Sequence, residues 1–209
     1  LPYSWLVKCV DLHKNKNVHK SSRIKDLNDY KKLGGFDVAD GVMDHHDKNC
    51  LAIRQGPVIT HCEEWQVDQV YKSVKRINSR HKSLGFNALY YDATALGTAA
   101  KSEFARLEDP NEGNRKLGYK VYAFKGGMKP YGAKKVFIGE GKSKVLNSAM
   151  FSNAKAQSWW NLRLRLENSM RLLRGEKIDR PDYYLSFSSD IKDLDSIFME
   201  LAQATFEED

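Results

Sequence analysis

Three short apolar runs follow one another from Gly34 onward, and their order constrains the fold more than any other feature of the chain. They read GFDVAD, NCLAIRQG and VITHCEEW, and each contains the Val, Ile, Leu, Phe or Trp residues that favour strands. Turn signals separate them, with Asp40-Gly41 in the first gap and Gly56-Pro57 in the second. Short apolar runs divided by such signals predict an antiparallel meander of three strands.

The next segment changes from the period of a strand to that of a helix. Apolar residues recur at helical spacing between Gln66 and His81, namely Val67, Val70, Tyr71, Val74 and Ile77. Gly85 is placed to end this amphipathic helix. The run NALYYDA then predicts a buried strand, and because a helix connects it to the meander, it should pair parallel to its partner.

The rest of the chain continues to alternate between helices and strands. ATALGTAAKSEFARL predicts a helix, KVYAFKGG a strand, and residues 126–145 a β-hairpin or long loop. Residues 153–174 predict a long helix, and residues 194–206 a last amphipathic helix. The long helix carries an apolar stripe of Trp159, Leu162, Leu166, Met170 and Leu173. This order predicts a ribonuclease H-like α/β fold, with a central mixed β-sheet flanked by helices and a β-hairpin or loop insertion.

Residues 1–33 differ in character from the segment that follows them. They are polar and basic, with an apolar cluster of Trp5, Leu6 and Val10 near the start. The pattern predicts a short helix and then a mobile N-terminal linker arriving from an upstream domain. Residues 34–209 are predicted to form one domain, since 209 residues with 41% hydrophobic content suit a single sizeable core.

The charge balance points to a polyanionic partner and a non-membrane setting. Lys and Arg outnumber Asp and Glu by 34 to 27, and the net charge of +7 favours nucleic acid through counterion release. No apolar run approaches the roughly 18 residues that span a bilayer, so no membrane association is predicted. Three scattered cysteines are too few for a disulfide framework and indicate a reducing, cytoplasmic setting.

Two aspartates are the leading candidates for a metal site. Asp37 lies at the centre of the first predicted strand, and Asp92 closes the buried run NALYYDA. Because these two strands are adjacent in the predicted topology, the carboxylates should face each other. Each alone is more often a structural residue, but as a close pair they repel, and a divalent cation between them would relieve the repulsion.

The chemistry of such a pair suits phosphodiester hydrolysis. Carboxylate oxygens with open positions suit Mg²⁺ or Mn²⁺, and two such ions about 4 Å apart activate a water and stabilise a leaving oxygen. Asp47 is the best accessory carboxylate, whereas Asp40 and Asp44 are read as solvated. His45, His46, His61 and Cys62 lack the ligand spacing of a zinc site, so packing and surface roles are favoured for them.

A lysine-rich segment is the leading candidate for contacts to a phosphate backbone. Six lysines surround the predicted hairpin: Lys125, Lys129, Lys134, Lys135, Lys142 and Lys144. Such a run is usually a solvated face, but its position on a glycine-rich hairpin with Tyr131 and Phe137 fits a flexible backbone clamp. Trp159 and Trp160 are interpreted as core residues in preference to base-stacking residues.

The order of these motifs resembles the nuclease domain of the large terminase subunit of tailed double-stranded-DNA phages. The resemblance runs from Gly34 to Phe206, and LPYSWL is similar to the segment that precedes this domain. It is carried by GFDVAD with DKNCLAIRQG, NALYYDATALG, FSNAKAQSWWNLRLRL and YYLSFSSDIKDLDSIFMELAQATF. The combination of Asn-x-x-Ala-Gln-x-Trp-Trp with both aspartates is its most specific part.

The resemblance implies a Mg²⁺- or Mn²⁺-dependent endonuclease that cuts concatemeric viral DNA during packaging. It implies that Asp37 and Asp92 are the metal ligands, with Asp47 less secure because the intervening turn is longer than usual. The family's third catalytic acid belongs to a Ser-Pro-x-x-Ala-Asp type motif, which would lie beyond Asp209. Implied partners are double-stranded DNA, an upstream ATPase domain of the same polypeptide, the small terminase subunit and the portal of the procapsid. The implied location is the cytoplasm of the infected bacterial host, outside the mature virion.

Two alternatives stay open at the level of sequence. The first is a catalytically weak DNA- or portal-docking module that keeps the fold without a complete site. The second is another ribonuclease H-like nuclease, such as a resolvase or an RNA–DNA hybrid nuclease. Divalent-metal cleavage of plasmid DNA, compared with cleavage of an RNA–DNA hybrid, separates these alternatives.

Overall fold

The computed structural model describes residues 1–18, 26–39, 48–94, 96–109, 111, 117–140 and 143–204. Its helices are α1 (Tyr3–Lys8), α2 (Val70–Leu84), α3 (Gly97–Leu107), α4 (Asn147–Met150), α5 (Ala154–Leu173) and α6 (Leu194–Gln203). Its strands are β1 (Lys32–Asp37), β2 (Asn49–Gln55), β3 (Val58–Trp65), β4 (Ala88–Asp92), β5 (Lys120–Phe124), β6 (Val136–Ile138), β7 (Val145–Leu146) and β8 (Ser186–Phe187).

Six strands form one mixed sheet in the order β5-β4-β1-β2-β3-β8. The meander β1-β2-β3 is antiparallel, and β4 pairs parallel to β1 after the crossover through α2. β5 is parallel to β4, and β8 is parallel to β3. The predicted α/β fold with a central mixed sheet is therefore confirmed. The predicted hairpin is also present, as the separate two-stranded sheet β6-β7.

The two faces of the sheet are covered by different helices. On one face, α2 and α3 bury a core around Phe36, Leu89 and Phe104. On the other, α1, α5 and α6 bury a core around Leu6, Leu166 and Phe198. The helix α2 ends as the sequence predicts, because Gly85 adopts a left-handed conformation and its N–H donates to the His81 carbonyl.

The first 18 residues pack into the second of these cores. Leu6, Cys9 and Leu12 are almost completely buried, and Val10 forms a bridge to Phe187 next to the end of the sheet. The short helix predicted at the start of the chain is present as α1. Of the mobile segment predicted around Asn15–Arg23, the structure describes residues 15–18, and Val18 is buried in this core, while residues 19–25 lie outside the described residues.

The buried face of α5 differs from the predicted stripe. Leu166 and Met170 are buried, but Trp159 and Leu173 are 36% and 38% exposed. Ser169 takes the central buried position, because its hydroxyl accepts the Leu185 N–H at 2.9 Å and lies 2.7 Å from the Leu185 carbonyl. A buried polar anchor rotates the helix away from the orientation that hydrophobicity alone predicts. Among the helices of the described residues, none has the length and apolar character to cross a bilayer.

Candidate active site

Asp37 and Asp92 are the last residues of neighbouring parallel strands. Phe36 of β1 pairs in register with Tyr91 of β4, so the two aspartates that follow come next in the same register. Adjacent strands lie about 4.8 Å apart, which brings the carboxylates within reach of one cation. Asp37 ends β1, whereas the sequence places it mid-strand, and Asp92 ends β4 as predicted.

The chain after β4 fixes the Asp92 carboxylate and leaves one of its oxygens available. Oδ1 accepts the Thr94 N–H at 2.9 Å and the Thr94 hydroxyl at 2.7 Å. Helix α3 begins directly above, and a Cβ on its first residue, Gly97, would lie 1.9 Å from the Asp92 backbone oxygen. Only glycine fits that close approach, so α3 can begin next to Asp92 only with a glycine at position 97.

A buried polar network that the sequence reasoning missed holds the chain beyond Asp37. Asn49 is 1% exposed, and its Oδ1 accepts the Ala39 N–H at 3.1 Å and the Ser73 hydroxyl at 2.9 Å. The Ser73 oxygen in turn accepts the Trp65 indole N–H at 3.0 Å. One signal was present, since Ser73 interrupts the apolar face of α2 between Val70 and Val74. The network sets the direction in which β1 continues past Asp37.

The face that carries the aspartates is negatively charged along the same edge of the sheet. Asp37 pairs in register with Cys50, which pairs with Glu64, so a third carboxylate lies on this face two strands away. Lys48 forms an ion pair with Glu64. A hydrogen bond with Cys62, burial, and the charges of Asp37 and Glu64 all raise the pKa of the Cys50 thiol. The raised pKa keeps Cys50 a neutral thiol beside Asp37.

The described donor set is two carboxylates, which fits a hard divalent cation bound partly by water. Nowhere in the described ranges do three His, Cys, Asp or Glu side chains converge on one point. Asp47, Asp40, Asp44, His45 and His46 lie outside the described residues, so the accessory role of Asp47 stays a prediction. His61 lies 3.8 Å from Glu63, and Cys62 packs against the core around Leu6, which matches the packing roles expected for both.

The lysine segment lies at the same edge of the sheet as the aspartates. We call residues 125–146 the lysine arm; it begins directly after Phe124, the register partner of Asp92. Lys125, Lys129, Lys134, Lys135 and Lys144 are exposed there, and Lys142 lies outside the described residues. Phe137 of the arm packs against Phe151 and Trp160, so Trp160 is a packing residue as predicted, whereas Trp159 is not.

The strand order, the helices on both faces and the paired aspartates at the end of β1 and β4 define a ribonuclease H-like α/β domain. The structure is similar over its whole length to the nuclease domain of the large terminase subunit gp2 of bacterial virus Sf6, at a TM-score of 0.73 and 21% identity. Point mutants of that domain, solved with manganese and beta-thujaplicinol or with calcium, give TM-scores of 0.76 and 0.75 at 21% identity.

All three of these structures cover 100% of this chain, which covers 83% of each of theirs. At that level of identity the likeness establishes a shared fold. No protein-family model matches the chain, and no curated protein matches it.

Proposed function

We propose that this domain is the metal-dependent endonuclease of a viral DNA-packaging terminase, cleaving concatemeric double-stranded DNA. The observation that carries the proposal is the placement of Asp37 and Asp92 side by side at the end of β1 and β4. Support comes from the shared fold with terminase nuclease domains, two of which are described with manganese or calcium.

Asp37 and Asp92 would hold the divalent cations, Mg²⁺ or Mn²⁺, with Asp47 as an accessory ligand. When bound, two such ions would polarise the scissile phosphate and lower the pKa of an attacking water. The Thr94 hydrogen bonds hold Asp92 in one rotamer, and the Asn49 network positions the chain that follows Asp37. The exposed lysines of the arm would bind phosphates on either side of the cut, without reading bases.

The wider assembly follows from the same proposal. Its partners would be double-stranded DNA, an ATPase domain in the same polypeptide, the small terminase subunit and the portal of the procapsid. The place of action would be the cytoplasm of the infected host, and the basic surplus of +7 would strengthen the encounter with DNA.

Plasmid cleavage tests the proposal directly. Supercoiled plasmid is incubated with the protein and Mn²⁺ or Mg²⁺, and nicked and linear products are measured. Asp37→Asn and Asp92→Asn should each lower the rate by about two orders of magnitude or more, since each removes a metal ligand without changing side-chain shape. Glu64→Gln is the matched control, because it removes a carboxylate from the same face at a distance of two strands.

The outcome also separates the alternatives. Equal cleavage by wild type and both aspartate variants would refute a catalytic role for the pair. Binding of duplex without any cleavage would favour a docking module, an alternative supported by the finding that the described residues supply only two converging carboxylates. Faster loss of RNA from an RNA–DNA hybrid than of plasmid would favour a hybrid nuclease.

A further inference from the structure

A shallow trough lies on the sheet face that carries the two aspartates. Side chains alternate along a strand, so Gly35 lies on the face of Asp37, and Tyr90 on the face of Asp92. Gly35 and Tyr90 are register partners, and Gly35 also pairs with Ala52 of β2. Two of the smallest residues therefore sit next to each other on one face, and they make a flat floor two strands wide.

One wall of the trough is a pair of exposed tyrosines. Tyr90 and Tyr122 are 45% and 41% exposed, and their rings stack with centroids 5.0 Å apart and planes at 22°. Tyr122 is the register partner of Tyr90 on β5, so it covers one side of the Tyr90 ring. Gly35 lies on the other side of the Tyr90 ring, and it has no side chain to cover that face. An aromatic face held in position and left open is a stacking surface.

Gly35 is not required by the backbone of β1. Apart from its two chain neighbours, no residue that the structure describes has an atom within 4 Å of a Cβ built on Gly35, and its φ is not positive. A glycine inside a strand weakens the strand, and it often marks a place where a ligand approaches the sheet closely. The neighbouring Gly34 differs, because its Cβ would lie 2.7 Å from the Leu89 side chain on the packed face. Packing explains Gly34, whereas no contact within the described part of the chain explains Gly35.

The far end of the trough from the aspartates is positively charged. Arg54 lies four residues along β2 from Cys50, the partner of Asp37, which is about 13 Å along the strand. Its guanidinium donates to the Gly56 carbonyl, and Arg165 of α5 donates to the Asp182 and Tyr184 carbonyls. Burial lowers the pKa of both guanidiniums, and the attraction of Asp182 only partly offsets it. The guanidiniums of Arg54 and Arg165 also repel each other. A bound anion would offset both the burial of the two charges and the repulsion between them.

We propose that this surface, the tyrosine trough formed by Gly35, Ala52, Arg54, Tyr90 and Tyr122, holds the sugar–phosphate backbone of one strand of duplex DNA. The inference rests on the proposed function and specifies the path along which its substrate reaches the metal site. A sugar packs against the open face of Tyr90, the tyrosine hydroxyls donate to phosphates, and Arg54 binds a phosphate at the end remote from Asp37. The scissile phosphate then lies at the end of β1 and β4.

Filling the trough tests this path. Binding of a fluorescent duplex oligonucleotide is measured by anisotropy in EDTA, so that no cleavage takes place. Gly35→Val places a side chain on the floor and raises strand propensity, so it should fold at least as stably as wild type and bind about tenfold more weakly. Ala123→Val is the matched control, since Ala123 is exposed on the opposite face of β5. It should bind as wild type does.

Two further variants identify the contacts. Tyr90→Ala should weaken binding as Gly35→Val does, while Tyr90→Phe should retain most of it through the ring. Arg54→Gln should lower the slope of log K against log salt by about 0.9, the effect of one phosphate contact. Wild-type affinity in a folded Gly35→Val variant would overturn the inference, and so would a wild type that does not bind duplex. If the trough variants bind duplex more weakly than wild type but wild type never cuts DNA, the proposed nuclease function is wrong, while the binding of DNA in the trough is supported.

Discussion

At the scale of single residues, Glu63 shows how one buried charge joins the sheet to its covering helix. Its side chain on β3 is only 13% exposed, and its carboxylate accepts two hydrogen bonds from Arg80 and one from Arg76, both on α2. Burial alone would raise the pKa of Glu63, but the hydrogen bonds and charges of the two arginines outweigh it and lower the pKa below its usual value. The ionised form is therefore stabilised by folding.

Glu63→Gln should destabilise the fold in a pH-dependent way. At pH 7 the loss is expected to be about 1–2 kcal/mol, since both arginines are more than a third exposed and solvent screens them. A lowered pKa contributes stability above the unfolded value of about 4.3, and this is lost as pH falls through the folded value. Urea unfolding of both proteins from pH 7 to pH 3.5 should show the difference shrinking at the acid end.

Glu176→Gln is the matched control for that measurement. Glu176 also pairs with two arginines, Arg171 and Arg174, but in an exposed turn where ion pairs add little. Its midpoint should stay close to wild type at every pH. A pH-independent loss in Glu63→Gln would show that two acceptor oxygens for the arginines, and not the negative charge, are what the Glu63 site requires.

The site residues differ in how far sequence alone could find them. Asp37 and Asp92 were predicted because each is a carboxylate inside an apolar run, and the topology makes those runs neighbours. Asn49 was missed because its role depends on Ser73 and Trp65, which only the folded chain brings to it. Gly35 was predicted only as the first residue of the strand run GFDVAD, and the space above it in the folded sheet is what sets it apart from Gly34.

At the scale of elements, α5 connects the lysine arm to the rest of the domain. Asn153 caps the helix by accepting the Ala156 N–H at 2.8 Å. Gln157, one turn further on, accepts the Tyr131 N–H at 2.6 Å and donates to the Tyr131 carbonyl at 3.1 Å. The two polar atoms of one buried amide thus pair with the backbone N–H and C=O of one residue of the arm. These contacts, with the packing of Trp160 against Phe137, explain the Asn, the Gln and the second Trp of the Asn-x-x-Ala-Gln-x-Trp-Trp motif.

Gln157→Ala should release the arm while the sheet remains folded. The Tyr131 peptide loses both of its partners on Gln157, and the lysines of the arm should then become accessible to trypsin. Limited proteolysis followed by mass spectrometry would show faster cleavage after Lys129, Lys134 and Lys135. Glu167→Ala, at an exposed position of the same helix, is the control and should leave the cleavage rate unchanged. An arm equally resistant in both variants would mean that its other contacts hold it without Gln157, namely the packing of Phe137 and the hydrogen bonds from Asn147 to the Tyr131 and Gly132 carbonyls.

The elements themselves were predictable where their period was clear, and their orientations were not. The change from the strand period of β1-β2-β3 to the helical period of α2 was enough to predict the meander, the helical crossover and the parallel pairing of β4. The orientation of α5 depends on Ser169 and its bonds to Leu185, a contact between residues 16 positions apart. The pattern of hydrophobic residues along α5 does not reveal that Ser169 bonds to Leu185.

At the scale of the whole molecule, long-range pairings close the fold. Val10 bridges to Phe187, and the backbone nitrogen of Leu1 lies 3.1 Å from the Ala204 carbonyl oxygen. These contacts join the first and last described segments of the chain across the core around Leu6. The N-terminal segment was predicted to be a linker because it is polar and basic. The partners of its few apolar residues lie almost 180 positions further along the chain, so the local sequence does not reveal them.

At the scale of the whole molecule, three carboxylates lie on one edge of the sheet although the chain as a whole is basic. A chain of net charge +7 nevertheless places Asp37, Asp92 and Glu64 on one edge of one face, where Lys48 forms an ion pair with Glu64. Like charges on adjacent strands destabilise a sheet. A divalent cation that binds the folded state and not the unfolded chain should therefore stabilise the whole domain, by RT ln(1 + [L]/Kd).

Thermal unfolding with and without Mn²⁺ measures that coupling without any substrate. Mn²⁺ should raise the unfolding midpoint of wild type, and Asp37→Asn should abolish most of the rise because a single carboxylate binds the ion weakly. Glu64→Gln should keep the full response to Mn²⁺. An equal rise in all three proteins would place the ion elsewhere on the surface, and the paired aspartates would then have to be explained as structural residues.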